Sequence, residues 1–246
     1  RLMDIGINGS GLLANPSLGA LTADITSAED DNFASYWLAQ TGGVDALTVF
    51  AAHGNTGSAM QLGTAVIPTW TTHPQVLAGQ ALTTQAAVNG RLVLGLGLAH
   101  EPSVTGRWKM TWERPVRQMM DFLDVLQPLL TEGRVNHEGY FWSYEGEIPL
   151  LEGPTPKVMI AALGDQMLKL AGARTDGTIL WCVGAKTIAD HIAPAINDAA
   201  EKAGRPQPSI VCSIPVWVTD DPAPARDFLA QILSVYAELP SYRRML

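Results

Sequence analysis

Residues able to take part in chemistry stand where short apolar runs end. They are Asn8, Gln40, the pair Thr69 and Trp70, His100, the turn Leu163, Gly164, Asp165 and Gln166, then Trp181 and Trp217. An imidazole can move a proton near neutrality, a primary amide can hold a heteroaromatic ring from its edge, and an indole can stack on one. The set is poor in carboxylates, which weighs against glycoside hydrolysis and its two flanking carboxyl groups. His53, His73, His100, His137 and His191 show no ligand-like pairing, so no metal centre is expected. Neither a G-x-S-x-G nucleophile elbow nor a P-loop is present.

Two glycine-bearing stretches carry more than one reading. In RLVLGLGLAH, Gly95 and Gly97 give half of a dinucleotide fingerprint, but the remaining glycine is missing and the following AHEPSVTGR opens no helix. Close packing inside a strand is the competing use of both glycines. His100 reads either as a proton carrier or as a hydrogen-bonded residue at a strand end, and Gln40 either as a ligand contact or as a polar strand cap. ALGDQMLKLAG runs from strand through glycine into a helix, whose first free amides suit a phosphate. Asp165 there fits an ordinary helix start equally well, by complementing the dipole.

These residues need a frame that brings strand ends together. Apolar runs at 3–8, 34–40, 62–70, 91–100, 157–163, 177–183 and 210–218 read as strands. Helical spacing fills 21–33, 44–53, 74–88, 114–130, 164–173, 186–203 and 223–239, with Gly204 and Pro206 closing the sixth. Strands apolar on both faces, each followed by a helix, predict an α/β fold with parallel strands. Seven βα units in 246 residues favour a (β/α)8 TIM barrel over a doubly wound sheet. The closing ELPSYRRML reads as a helix or loop, so the last βα unit is expected to be missing from one C-terminally incomplete barrel domain spanning 1–246. Of the two long interruptions, 101–112 should cover the C-terminal mouth, and 132–156 should form a small hairpin on the opposite side.

Composition narrows the partners. An apolar content of 47% supports a sizeable core, while 16 Lys plus Arg against 24 Asp plus Glu give a net charge of -8. No basic run tracks a phosphate backbone, so nucleic acid is not expected as a partner. No apolar stretch approaches the roughly 20 residues of a membrane span, the first residues are no signal peptide, and Cys182 and Cys212 suggest no disulfide framework. A cytoplasmic protein is expected.

The segments ASYWLAQ, LGTAVIPTWTTHPQVLAGQALTTQAAVNGRLVLGLGLAH, ERPVRQMMDFLDVLQPLL and VMIAALGDQMLKLAGARTDGTILW together resemble the luciferase-like monooxygenase superfamily, in its coenzyme F420-dependent oxidoreductase branch. The likeness extends over almost the whole chain and is most specific in the third-to-fourth-strand block. It implies a (β/α)8 barrel that binds the deazaflavin F420 at its C-terminal mouth and transfers a hydride between it and a small organic substrate. It also implies a bulge and a non-prolyl cis peptide in the third strand, at Ala65–Val66, against which the ring bends. Thr64, Ala65, Val66, Gly95, Gly97 and Trp181 would border the cofactor, Gln40 and His100 would be catalytic, and Leu163, Gly164, Asp165 and Gln166 would meet phosphate. Asp165 fits only if its carboxylate turns away. A homodimer is implied in the same way. The nearest rival is an FMN-dependent monooxygenase on the same barrel, and a third reading is a non-catalytic cofactor-binding barrel or partner subunit.

Overall fold

The computed structural model describes residues 3–239 and 242. The chain forms two compact units, Arg1–Met159 and Ile160–Leu246.

The first unit contains β1 (Gly6–Asn8), α1 (Leu18–Asp30), β2 (Ser35–Leu38), α2 (Ala46–His53), β3 (Gln61–Thr64), β4 (Ile67–Pro68), α3 (Pro74–Ala87), β5 (Leu92–Gly97), α4 (Pro115–Thr131), β6 (Arg134–Glu138) and β7 (Ser143–Glu147). β1, β2, β3 and β5 pair in parallel in that order, β4 also pairs with β5, and β6 and β7 form an antiparallel hairpin. β8 (Lys157–Ala161) crosses the division between the units. The second unit continues with α5 (Asp165–Arg174), β9 (Gly177–Trp181), α6 (Ala185–Thr187), α7 (Ala193–Lys202), β10 (Ser209–Ser213) and α8 (Pro222–Ala237), with β9 and β10 parallel. A π turn, Ile188–Ile192, joins α6 to α7 in one helical run.

The seven expected helices all form, and local chemistry sets their starts. Ser17 accepts from Ala20 N at 3.1 Å, which begins α1 at Leu18 rather than Leu21. Asp45 accepts from Thr48 N at 2.7 Å at the head of α2, and His73 Nδ1 from Gln75 N at 3.2 Å before Pro74 opens α3. Gly204, at φ +65°, ends α7 as expected, with Arg205 N returning to Ala200 O at 2.9 Å. α5 and α7 approach closely at Gly172, where a Cβ would collide with the Ile196 carbonyl and meet Ala199 Cβ at 2.9 Å.

All seven expected strands are shorter than read, and three of them differ most. The first starts at Gly6, and the seventh stops at Ser213, because Pro215 offers no N–H to continue a ladder. Trp217 is therefore not at a strand end: it lies 52% exposed, edge-on to Phe228. The third is divided into β3 and β4. No strand follows β10 among the described residues, and the reading of 238–246 falls mostly outside them.

β5 is buried along its whole length. Arg91, at its N-terminal end, is 7% exposed and donates to Val88 O, Gly54 O and Glu29 Oε1 at 3.0, 2.8 and 2.6 Å. His53 Nε2 lies 3.1 Å from the same Glu29 oxygen. This network ties the ends of α1 and α2 to the start of β5, opposite the end where His100 stands. No described helix is long and apolar enough to cross a membrane.

Candidate active site

The division of the third strand is a bulge. Gly63 pairs with Val93 and Ile67 with Leu96, so four steps along β3–β4 (67−63) oppose three along β5 (96−93). The Ala65–Val66 peptide inside it is cis, as the resemblance implied. Thr64, fully buried, bridges the gap: its hydroxyl donates to Gly95 O and accepts from Gly95 N, both at 2.8 Å. Ala65 N donates to Leu38 O at 2.9 Å and Gln40 N to Val66 O at 3.4 Å, which carries the bulge over to β2. The structure thus brings Gln40, Thr64, Ala65, Val66 and Gly95 into one set of contacts.

Gln40 and His100 both leave C-terminal strand ends. The Gln40 amide oxygen accepts from Ala46 N at 3.3 Å, so the side chain anchors the head of α2 and keeps its NH2 group as a donor. Ser10 Oγ accepts from Ala39 N at 2.9 Å, fixing the chain just before it. His100 is half-buried, and burial pushes its imidazole below the usual histidine range. Its carbonyl accepts from Ser103 and Val104 N at 2.8 and 3.1 Å and starts the π turn Ser103–Arg107. Arg107 Nη1 then donates to Thr41 O at 3.2 Å, joining the loops after β5 and β2. The 101–112 segment therefore lies at the C-terminal strand ends, as expected.

An aromatic group lies beyond β4. Trp70 is 5% exposed, its ring centroid 5.6 Å from Trp112 and 5.8 Å from Phe141. Thr69 holds it in place, donating through Oγ1 to Gln118 Oε1 at 2.9 Å while Gln118 Nε2 donates to Thr69 O at 3.3 Å.

Phe141 belongs to the β6–β7 hairpin, and this corrects the expected position of 132–156. The hairpin is present, but its tip meets Trp70, and Trp142 meets His73 at 5.3 Å, both beyond the C-terminal end of β4. The reason is length. From Thr131 back to Asp121, α4 covers about 15 Å at ~1.5 Å per residue. The five residues of β6 return about 17 Å at ~3.3 Å each. Phe141 N then reaches Asp121 Oδ2 at 2.8 Å. Gln118 and Asp121, both fully buried, are the site-supporting residues that sequence reasoning missed. The available signal was a polar residue on the apolar face of α4, with Gln118 in step with Phe122, Val125 and Leu129.

In the second unit the α5 turn has the predicted shape. Gly164 precedes the helix with no side-chain cap, and the first helical bond is Leu168 N to Gly164 O at 2.9 Å. The amides of Asp165, Gln166 and Met167 therefore have no acceptor within the helix. Gly164, Asp165 and Gln166 are exposed and Leu163 half-buried. The Asp165 side chain, 73% exposed, lies 3.7 Å from His191 Nε2, which also reaches Leu163 O at 3.3 Å. Trp181 ends β9, half-buried, 6.2 Å from the Tyr236 ring. Cys182 and Cys212 are free thiols.

Comparison with known proteins follows the same lines. An uncharacterised protein of Mycobacterium tuberculosis (strain ATCC 25618 / H37Rv) is 28% identical over 94% of this chain and 72% of its own length. An F420-dependent glucose-6-phosphate dehydrogenase of Gordonia bronchialis is 30% identical over 72% of this chain and 55% of its own length. Among solved structures, the coenzyme F420-dependent tetrahydromethanopterin reductase of Methanopyrus kandleri superposes with a TM-score of 0.77 at 17% identity, over 96% of this chain and 73% of that one. The oxygenating constituent of 3,6-diketocamphane monooxygenase from Pseudomonas putida, in complex with FMN, gives 0.72 at 15%, also over 96% and 73%. These likenesses establish the barrel-type α/β fold. The luciferase-like monooxygenase family matches residues 4–245, and the chain belongs to that family.

Proposed function

We propose that this protein is a coenzyme F420-dependent oxidoreductase that transfers a hydride between the deazaflavin and a small organic substrate. The observation that carries the reading is the 30% identity to an F420-dependent dehydrogenase across 72% of the chain. Solved structures divide between F420 and FMN proteins and support the fold alone.

Each unit, taken by itself, carries groups that suit part of such a cofactor. At the head of α5, unpaired amides suit a phosphate, and the Asp165 carboxylate is exposed on the side of His191. In the first unit, the half-buried Ala65 and Val66 at the bulge would border the ring, with the buried Thr64, Gly95 and Gly97 setting the shape of the strands there. Gln40 presents its NH2 group as a donor. His100, held neutral by burial at neutral pH, orients a ring through one hydrogen bond rather than through charge. Trp181 offers an aromatic face at the end of β9. A bound deazaflavin supplies two-electron hydride chemistry, and the protein supplies position and electrostatics. A homodimer belongs to the same reading.

Titration of the purified protein with F420 and with FMN, followed by fluorescence, tests it. F420 should bind, weakly in Gln40→Ala, and reduced F420 should be oxidised in the presence of a suitable acceptor. Tight FMN binding with none for F420 overturns the assignment in favour of a flavin monooxygenase. Binding of F420 without turnover across a broad acceptor screen overturns the catalytic part.

A further inference from the structure

Away from the bulge, α4 and the hairpin bring together three groups to which the proposed reaction gives no role. Asp121 and Asp124 stand three residues apart, on one face of α4, and β6 carries His137. One ligand atom from each lies within 4.8 Å of the other two. The Asp121 side chain is 0% exposed, and its Oδ1 receives no directed hydrogen bond, although Arg117 Nε lies 2.8 Å away as an ion pair. His137 Nε2 is also buried without a hydrogen-bond partner, 4.0 Å from the same oxygen.

That separation is too long for a hydrogen bond between the two groups. Two ligands of one tetrahedral cation, with bonds of about 2.0–2.2 Å each, stand about 3.4 Å apart, so closing on a cation requires the pair to move together by about half an ångström. Gly139 keeps the space open: a Cβ there would come within 2.6 Å of His137 Nε2 and 2.9 Å of Asp121 Cγ. The other Asp121 oxygen accepts from Phe141 N at the hairpin tip, so whatever holds this carboxylate also holds the hairpin.

We propose that Asp121, Asp124 and His137 form a structural site for a divalent transition cation of the Zn2+ type, which pins the hairpin to α4. The imidazole argues against Mg2+ or Ca2+, which take oxygen ligands, and three protein ligands leave a position for water. With a neutral imidazole, two carboxylates and the Arg117 guanidinium sum to −1 (−1 −1 +1). Arg117 is 48% exposed and can swing into solvent, so it and the cation compete for Asp121 Oδ1.

The test uses the full chain, stripped with chelator and titrated with Zn2+ by calorimetry and with Co2+ by visible absorption. Wild type should bind one equivalent, with a Co2+ spectrum showing nitrogen ligation, and its Tm should rise with Zn2+ concentration. Asp124→Asn and His137→Ala should weaken binding by more than about tenfold, as loss of a ligand must at least match loss of an outer partner. Arg117→Gln should bind as tightly as wild type or tighter. Wild type without one-equivalent binding overturns the proposal, and so does binding that survives His137→Ala. Weaker binding by Arg117→Gln would do the same. If His137→Ala fails to fold, the wild-type Co2+ spectrum decides, and absence of nitrogen ligation overturns the site.

Discussion

Replacing Thr64 by valine removes one hydroxyl and changes almost nothing else at the end of β3. Volume and the buried methyl are kept, but the bonds to Gly95 O and Gly95 N, both 2.8 Å, are lost. Gly95 lies between the paired positions Val93 and Leu96, opposite the bulge, where no ladder bond from β3 or β4 can replace them. A buried donor or acceptor left without a partner costs ~1–3 kcal/mol, so the two together should cost about 2–6 kcal/mol. For a chain of this length, at about 2–4 °C per kcal/mol, that is a fall in Tm on the order of 4–24 °C. Thr64→Ser keeps both bonds and loses one methyl, at about 1 kcal/mol. Differential scanning calorimetry should therefore rank wild type above serine above valine, and hydrogen exchange should show the Gly95 amide deprotected in valine alone. F420 affinity should fall with the same ranking, since the bulge is proposed to border the ring. A serine variant as damaged as valine, or an unchanged Gly95 amide in the valine variant, would show that packing rather than the hydroxyl holds the strands here.

Other features give shorter tests. Burial pushes the Glu29 carboxyl up, but hydrogen bonds from His53, Arg91 and Thr56 outweigh it and hold the group below its ordinary 4.5. The stability it contributes is complete above that value and is lost as pH falls through the folded one, so urea midpoints should drop on acidification in wild type and less steeply in Glu29→Gln. A parallel slope in the variant refutes this. Burial lowers the His100 imidazole from 6.5, so its NMR titration midpoint should lie below that value, and stability should decline as pH falls from there towards the midpoint. A midpoint above 6.5 would instead indicate a neighbouring anion. Gly172→Ala should destabilise by ~1–3 kcal/mol through overpacking against Ile196 and Ala199, measured by denaturant unfolding, and unchanged stability would mean that α5 and α7 can separate without cost.

Elements whose information is local were legible in the sequence. The helices follow from apolar spacing and from the stop at Gly204, which acts within one turn of the residue that carries the signal. β5 followed from a run of apolar residues with no charge, and Arg91 and His100 were assigned to its opposite ends on sequence grounds alone. The residue pattern alone could not reveal the bulge. LGTAVIPTW alternates no differently on either side of Ala65, and only the count of partners on β5 exposes the extra residue. The bulge and the cis bond came from family resemblance, and the structure agrees with both.

What stayed hidden depends on distances between segments far apart in sequence. Asp121 looks like a charge on a surface helix until β6 returns along α4 and places Phe141 N against it, twenty residues later in the chain. The same return brings the half-buried His137, one of the histidines that show no pairing in the sequence, beside the buried Asp121. Gln40 illustrates the converse. Its position at a strand end drew attention to it as a ligand contact, while the structure gives its oxygen a structural task at Ala46 N and leaves the NH2 group as its donor. The catalytic role that the resemblance implied and an orienting one are separated by the variant Gln40→Glu. That substitution keeps an acceptor for Ala46 N and removes the donor, so it should preserve stability while weakening cofactor binding. Equal loss of both would assign Gln40 to the fold alone.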